Sequence, residues 1–122
     1  MTYEVKTEKS LFNGWTSETQ ILLEENVSND PSINGKVGNR ILEFTTLKRS
    51  GGGIVTNAMA CILMNDGKFV SKETVIFQDY SKMVMNHGKI RATEKSIAQA
   101  HAAAFDKFAE HIESAKKQYN IA

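Results

Sequence analysis

Three glycines and two cations in one short segment are the residues of this chain best suited to binding chemistry. The segment reads Lys48-Arg49-Ser50-Gly51-Gly52-Gly53. Glycine frees the backbone for a turn or for a close approach to a ligand, and the neighbouring cations suit an anionic group. The segment is not a P-loop, because no Gly-Lys-Ser/Thr ends the run and no helix is predicted to start there. A flexible hairpin loop without a ligand is the competing interpretation.

A second basic segment follows some 40 residues later. It reads Lys89-Ile90-Arg91, with the predicted turn Asn86-His87-Gly88 before it and Lys95 after it. Because His87 lies in a predicted turn, we expect its ring to be accessible to solvent. The predicted binding residues are Lys48, Arg49, Gly51, Gly52, Gly53, His87, Lys89, Arg91 and Lys95.

The other histidines and the single cysteine form no predicted metal or catalytic site. Ten residues separate His101 from His111, which in a helix is about 15 Å along the axis and about 80° around it, too far for one metal ion. His101 falls on an apolar helix side, where we expect a hydrogen-bonded core histidine. Cys61 has no partner for a CxxC pair, and the chain has no zinc-protease or GxSxG motif. We predict no metal and no cofactor.

Composition and charge indicate one globular domain with a basic middle. The 122 residues are 41% hydrophobic and 24% charged, with a net charge of +1. Residues 1–30 carry two lysines against six acidic residues, whereas residues 31–95 carry ten Lys and Arg against five acidic residues. This is a mild electrostatic footprint for an anionic partner, and ordinary solubilising charge is the alternative. Without a hydrophobic signal region or a long apolar stretch, we expect a cytoplasmic protein with no membrane partner.

The longest predicted element is a helix over residues 92–119. Its apolar residues recur at helical spacing on one side: Ile97, His101, Ala104, Phe105, Phe108, Ile112, Ala115 and Tyr119. Its start is ambiguous, because Thr93 can cap it and Ser96 with Gln99 also has capping-box spacing. A helix with one apolar stripe needs a partner surface, which we expect to be a sheet.

Residues 1–24 predict an N-terminal hairpin, because Asn13-Gly14 suits a two-residue type I′ turn. That turn predicts three cross-strand pairs: Phe12 with Trp15, Lys9 with Glu18 and Val5 with Leu22. A short helix over Trp15 to Glu25 is the alternative, since Ser17 and Gln20 have capping-box spacing and good helix formers follow.

The middle of the chain predicts a loop and a series of strands. Residues 25–39 are rich in Asn, Ser, Asp, Pro and Gly and predict a polar loop, and residues 40–91 predict a β-meander. Within it, Ala58 to Met64 is apolar at every position, which predicts a central strand covered on both faces. A further strand is predicted over residues 68–78, and a short edge strand around Met83-Val84-Met85.

These elements together predict an α+β fold in which an antiparallel β-meander of four to six strands is packed by one long C-terminal α-helix, as a single domain over residues 1–122. Since no catalytic constellation is visible, we expect a small non-enzymatic binding or regulatory protein whose partner is a nucleic acid or an acidic protein. One alternative is a homodimer formed through Ala58 to Met64, with an apolar small-ligand pocket between sheet and helix. The other is a small enzyme whose residues converge only in three dimensions.

Overall fold

A computed structural model of the chain describes residues 4–12, 14–28, 35–67, 69–74 and 84–118. These residues form six strands and one helix. The elements are β1 (Lys6–Ser10), β2 (Gly14–Val27), β3 (Gly38–Lys48), β4 (Ile54–Met64), β5 (Phe69–Thr74), β6 (Val84–Asn86) and α1 (Glu94–Gln118). Parts of four predicted segments lie outside the described residues. They are residues 29–34 of the polar loop, residues 68 and 75–78 of the strand predicted over 68–78, Met83 of the short edge strand and Tyr119 of the helix.

All strand pairs are antiparallel, in the order β1-β2-β3-β4-β5, and β6 also pairs with β4. β5 lies beside residues 59–63 of β4, and β6 lies beside residues 55–57 of the same edge. Two short strands thus share one long edge in succession. The predicted α+β fold, an antiparallel sheet packed by one C-terminal helix, is confirmed.

The N-terminal hairpin pairs in a register different from the predicted one. Ser10 lies opposite Gly14 and Lys9 opposite Trp15, so the pairing of Phe12 with Trp15 was wrong. The cause is the loop, which holds three residues rather than two and leaves Gly14 to adopt a φ of 68°, a conformation that glycine tolerates. β2 is a strand over its whole length, not the short helix kept as the alternative.

The strands on either side of the predicted polar loop are longer than predicted. β2 extends to Val27 and β3 begins at Gly38, so the loop does not cover all of residues 25–39. β-Bulges allow this extension, because the register shifts on both sides of Glu24 and Asn26 takes a φ of 55°. Residues at both ends of the predicted polar loop therefore belong to strands, although the polar composition predicted a loop.

The core lies between one face of the sheet and α1. It contains the buried residues Ile21, Leu23, Leu42, Phe44, Ala58, Ala104, Phe108 and Ile112. The ring of Phe44 lies 5.0 Å from that of Phe105 and 6.1 Å from that of Phe108, measured between centroids. Ala104 is fully buried, and its small side chain permits the close approach of helix and sheet. Aromatic rings thus occupy the interface between sheet and helix, where the alternative prediction placed a small-ligand pocket.

β4 is central, as its composition predicted, but it is not equally covered on both faces. The residues directed to α1 include Ile54 and Ala58, which are buried, whereas Met59 and Leu63 on the other face are half-buried. Cys61, also on that face, is buried. The prediction of full coverage on both faces was therefore wrong for part of the strand.

The helix begins at Glu94, two residues later than predicted, with Thr93 as its cap. The N–H of Ser96 donates to Oγ1 of Thr93 at 3.1 Å, and the N–H of Thr93 donates to Oγ of Ser96 at 2.8 Å. This reciprocal arrangement satisfies two backbone donors of the first turn. Ala92 lies outside the helix and packs against the cluster of Ile54, Ile97 and Ala100.

The antiparallel order sorts the turns into two ends of the sheet. The turn after β1, the loop after β3, the segment after β6 and the start of α1 share one end, which we call the loop end: residues 9–12, 48–54 and 87–95. The opposite end, which we call the far end, comprises residues 24–28, 35–40, 63–67 and 110–118. The two predicted basic segments both belong to the loop end.

Candidate anion-binding cleft

The glycine segment forms a tight turn between β3 and β4. The N–H of Gly52 donates to the carbonyl of Arg49, and the N–H of Arg49 donates to the carbonyl of Gly53, both at 3.0 Å. Gly52 and Gly53 have φ values of 93° and 91°, in a region that side chains with a Cβ rarely adopt. The turn therefore depends on glycine at these two positions.

Two backbone hydrogen bonds join this turn to the segment after β6. The N–H of Ile54 donates to the carbonyl of Gly88 at 3.2 Å, and the N–H of His87 donates to the carbonyl of Ile54 at 2.9 Å. A Cβ built on Gly53 would overlap the carbonyl oxygen of Gly88, whereas one on Gly51 would meet no atom within 4 Å. The absence of a side chain at Gly53 thus lets the two basic segments approach each other.

A cleft of about 390 Å³ lies where the two segments meet. Its lining residues are Lys48, Gly51, Gly52, Gly53, Lys89, Ile90, Arg91 and Ala92. The lining contains three cations and no acidic residue. Ammonium, guanidinium and backbone N–H groups together suit an anionic, oxygen-rich group such as a phosphate or a carboxylate.

Three of the predicted binding residues are not among those lining the cleft. Arg49 lies at the start of the turn and Lys95 in the first turn of α1, and both are exposed beside the cleft. His87 lies behind the cleft. The solvent access predicted for its ring is only partial, because the residue is half-buried and its Nε2 lies 2.8 Å from Oγ1 of Thr56.

A chain of side-chain hydrogen bonds runs from His87 into the core. Oγ1 of Thr56 lies 2.6 Å from Oγ1 of Thr46, and Oγ1 of Thr46 lies 2.7 Å from Nδ1 of His101. Nε2 of His101 lies 2.8 Å from Oγ1 of Thr19. We call these five residues the histidine chain. His101 is 1% exposed and bonded on both nitrogens, which confirms the prediction of a hydrogen-bonded core histidine.

Burial favours the neutral form of both imidazoles of the histidine chain. It lowers the pKa of His87 from the ordinary 6.5. Burial first, and then the charge that His87 acquires on protonation, together lower the pKa of His101 to about 4. A neutral imidazole offers one donor and one acceptor, so each ring matches hydroxyl groups, which can play either role.

Sequence reasoning missed the threonines of the histidine chain. Threonine is common in strands, so Thr19, Thr46 and Thr56 gave no individual signal. The available signal was their alternation with apolar residues. Thr19 precedes Ile21 by two residues and Thr46 follows Phe44 by two, so both lie on the face that the helix covers, where a buried hydroxyl needs a partner.

A second cavity, at the edge of the sheet, has a different character. It holds about 380 Å³ at the sheet edge and is lined by Glu4, Lys6, Glu18 and Gln20. Lys6 also lies 3.5 Å from a carboxylate oxygen of Glu8. Opposite charges that face each other leave little net attraction for an ion, so this cavity is not our candidate.

The described part of the chain has neither a metal-binding cluster nor a helix that could span a membrane. It contains no group of three or more His, Cys, Asp or Glu side chains placed to hold a metal ion. Over residues 94–118, the helix does not combine the length and the apolar character that crossing a membrane requires. No family model, no curated protein and no solved structure matches this chain.

Proposed function

We propose that this chain is a non-enzymatic binding protein of the cytoplasm that holds an anionic macromolecule, a nucleic acid or an acidic protein, in the cleft at the loop end. The observation that carries the proposal is the cleft lining, in which Lys48, Lys89 and Arg91 surround three glycines with no acidic residue among them. Cations grouped without counter-charges attract a partner that brings its own negative charge.

A nucleic acid fits this lining better than an acidic protein does. Guanidinium and ammonium groups bind phosphate oxygens, and glycine amides allow a phosphate to approach the backbone closely. Among the residues that the structure describes, no backbone carbonyl accepts from the N–H of Gly51 or Gly53. These amides are therefore available to an oxyanion that enters the cleft, and phosphates supply oxyanions at every nucleotide.

The lining also favours binding without catalysis. Its residues include no His, Asp, Glu, Cys or Ser, and glycine has no side chain that could act as acid, base or nucleophile. The nearest imidazole, His87, is hydrogen-bonded to Thr56 behind the cleft. A regulatory or inhibitory protein needs only such a binding surface.

The test compares two triple variants of equal charge change. Changing Lys48, Lys89 and Arg91 to Ala should weaken binding of fluorescein-labelled heparin by about tenfold and reduce the dependence of binding on salt. The control changes Lys36, Lys107 and Lys117, which are exposed and do not line the cleft, to Ala. Fluorescence anisotropy at several salt concentrations measures both. Equal losses for the two variants would overturn the proposal.

Dimerisation through Ala58 to Met64 is a weaker proposal. β4 pairs with β3 on one edge and with β5 and β6 on the other, so a second copy could contact only its half-buried face. Met59 and Leu63 on the side away from α1 would then form the contact. Sedimentation velocity at several concentrations tests this, and a monomer throughout would remove it.

A further inference from the structure

Two large apolar side chains at the loop end contribute nothing to the core. Leu11 and Phe12 are 99% and 96% exposed. They lie beyond Ser10 and Gly14, the last pair of the N-terminal hairpin, so the loop carries them away from the sheet. We call these two residues the hairpin tip. Two adjacent and almost fully exposed apolar side chains form a patch of the kind that can serve as an interaction site.

The register of the sheet places the hairpin tip beside the cleft. Lys9 lies opposite Trp15, and Lys48 lies opposite Ile54. Ser17 lies opposite Thr46, so continuing this register by two residues puts Trp15 level with Lys48. Neighbouring strands are about 4.8 Å apart, which separates the tip from the cleft by about 15 Å across the sheet. A short flexible polymer can reach both.

Resting on the proposed function, we infer that the anionic partner is a single-stranded nucleic acid, with one phosphate in the cleft and a nearby base stacked on Phe12. Single strands are bound by a basic surface that follows their backbone together with aromatic rings on which unpaired bases stack. The loop end provides both. A double helix keeps its base faces stacked internally, so the exposed ring would find no base.

The cations of the loop end lie both at the hairpin tip and at the cleft. Lys9 lies at the base of the hairpin tip, and Lys48, Lys89 and Arg91 line the cleft. Exposed Arg49 and Lys95 flank it, and the acidic residue in the described residues of this end is Glu94. Six cations against one carboxylate make the loop end attractive to a polyanion, both at the base of the hairpin tip and around the cleft.

An anionic bilayer is the other class of partner that deserves a direct comparison. Leu11 at the tip and Ile90, which is 50% exposed, would suit insertion among lipids. A bilayer is broad, however, and could contact the tip without entering a recessed cleft, whereas a flexible strand can enter it. The two partners also require different properties of the hairpin tip. Stacking of a base requires the ring of Phe12, whereas insertion into a bilayer requires only apolar surface.

The experiment uses the full chain with three variants at two almost fully exposed positions, which should not disturb folding. Phe12→Leu keeps an apolar side chain and removes the ring, and Leu11→Ser removes apolar surface and keeps the ring. Binding of a fluorescein-labelled single-stranded 12-mer of thymidylate is measured by anisotropy. We expect Phe12→Leu to raise Kd about tenfold, Leu11→Ser to change it less than about twofold and Phe12→Trp to retain the affinity.

Three outcomes overturn the inference. The first is that the wild type and Phe12→Leu bind the 12-mer with equal affinity. The second is that the wild type binds the matching duplex as tightly as the single strand. The third is that Leu11→Ser raises the Kd for the 12-mer as much as Phe12→Leu does. Phosphatidylcholine vesicles with and without phosphatidylserine form the second arm. Binding that requires phosphatidylserine and is lost in Leu11→Ser would identify a membrane partner instead.

Heparin binding by the triple variant tests the cleft separately from the hairpin tip. Suppose that the triple variant of Lys48, Lys89 and Arg91 no longer binds heparin, while Phe12→Leu leaves the affinity for the 12-mer unchanged. The proposed function then stands, and the inference of a single-stranded nucleic acid fails. If that triple variant binds heparin like the wild type, the proposed function fails. Far-ultraviolet circular dichroism and thermal unfolding confirm that each variant keeps the fold.

Discussion

The two ends of the sheet are made from the same elements, yet they differ in charge and in exposed surface. The loop end carries six cations, one acidic residue and the two exposed side chains of the hairpin tip. The described residues of the far end mix both signs, with Glu24, Glu25 and Asp66 near Lys36 and Arg40. A net charge of +1 therefore conceals a basic end that the fold creates by bringing distant segments together.

The turn after β3, at the loop end, and the turn after β4, at the far end, also differ in how they use glycine. Gly53 at the loop end and Gly67 at the far end both have positive φ, at 91° and 84°. A Cβ on Gly67 would meet no atom within 4 Å, whereas one on Gly53 would overlap Gly88. A turn at the far end needs only a backbone conformation, but the turn at the loop end also needs room for a second segment. The loop end is thus built as a junction.

The largest predicted effect breaks this junction. Gly53→Ala adds backbone strain and a collision with the carbonyl of Gly88, so we expect it to lower the free energy of unfolding by about 4 kcal/mol and to abolish heparin binding. Gly67→Ala adds the strain alone and should cost about 1 kcal/mol. Urea denaturation measures both.

Gly51→Ala is the matched control within the same turn. Its Cβ would meet nothing within 4 Å and its φ is not positive, so the free energy of unfolding should change by less than about 0.5 kcal/mol. If Gly53→Ala and Gly67→Ala proved equally costly, contact with Gly88 would not be what distinguishes the two ends.

The second prediction concerns the histidine chain behind the loop end. The unfolded chain takes up a proton on His101 near pH 6.5, whereas burial and the neighbouring His87 keep it neutral in the folded protein until about pH 4. Stability should therefore fall as the pH drops through this window, by up to about 3 kcal/mol from this residue. Urea denaturation at pH 7, 5.5 and 4.5 measures the fall.

His101→Gln separates this contribution from that of the carboxylates, which titrate in the same range in both proteins. The variant should be less stable at pH 7, because an amide cannot reproduce both imidazole bonds. Its stability should nevertheless fall less steeply with acid. Parallel curves for the variant and the wild type would show that His101 does not carry the dependence.

The fold was predictable where a periodic apolar pattern fixed an element, and less so where pairing depended on loop geometry. The stripe from Ile97 to Ile112 predicted both the helix and its need for a sheet. The register of the first hairpin was not predictable from Asn13-Gly14, because two- and three-residue loops both use glycine with positive φ. The strand with which β6 pairs was likewise not predictable from the sequence of β6 itself, and the structure pairs it with β4.

The candidate site was predictable as two basic segments, but not as a cleft. Lys48 and Lys89 are 41 residues apart in the sequence, and they come together through the pairing of β6 with β4 and the close approach of Gly53 to Gly88. Such a contact between backbones leaves no mark in composition or spacing. The histidine chain was missed for a related reason, because its hydroxyls come from three different strands.

The third prediction interrupts the histidine chain without adding charge. Thr56→Val would leave Thr46 and His87 each without the hydroxyl they contact, and we expect a loss of about 2 kcal/mol in the free energy of unfolding. Thr45→Val is the control, since Thr45 lies opposite Asn57 on the other face of the sheet and should change stability by less than about 0.5 kcal/mol. Similar losses in both would contradict a special role for the chain.

The smallest predicted effect concerns the ion pair at the far end. Nε of Arg40 donates to Oε2 of Glu24 at 3.2 Å, and the two side chains are 18% and 40% exposed. Water screens such a pair, so Glu24→Gln should lower the free energy of unfolding by only about 0.5 kcal/mol.

The same variant tests whether the two ends act independently in binding. Glu24→Gln raises the net charge by one, as far from the cleft as the sheet allows, so heparin affinity should change by less than about twofold. Screening over a distance well beyond about 10 Å makes a remote charge ineffective at 0.1 M salt. Lys48→Ala, a single charge change within the cleft, should have the larger effect. If both changes altered the affinity equally, total charge rather than the arrangement at the loop end would govern binding.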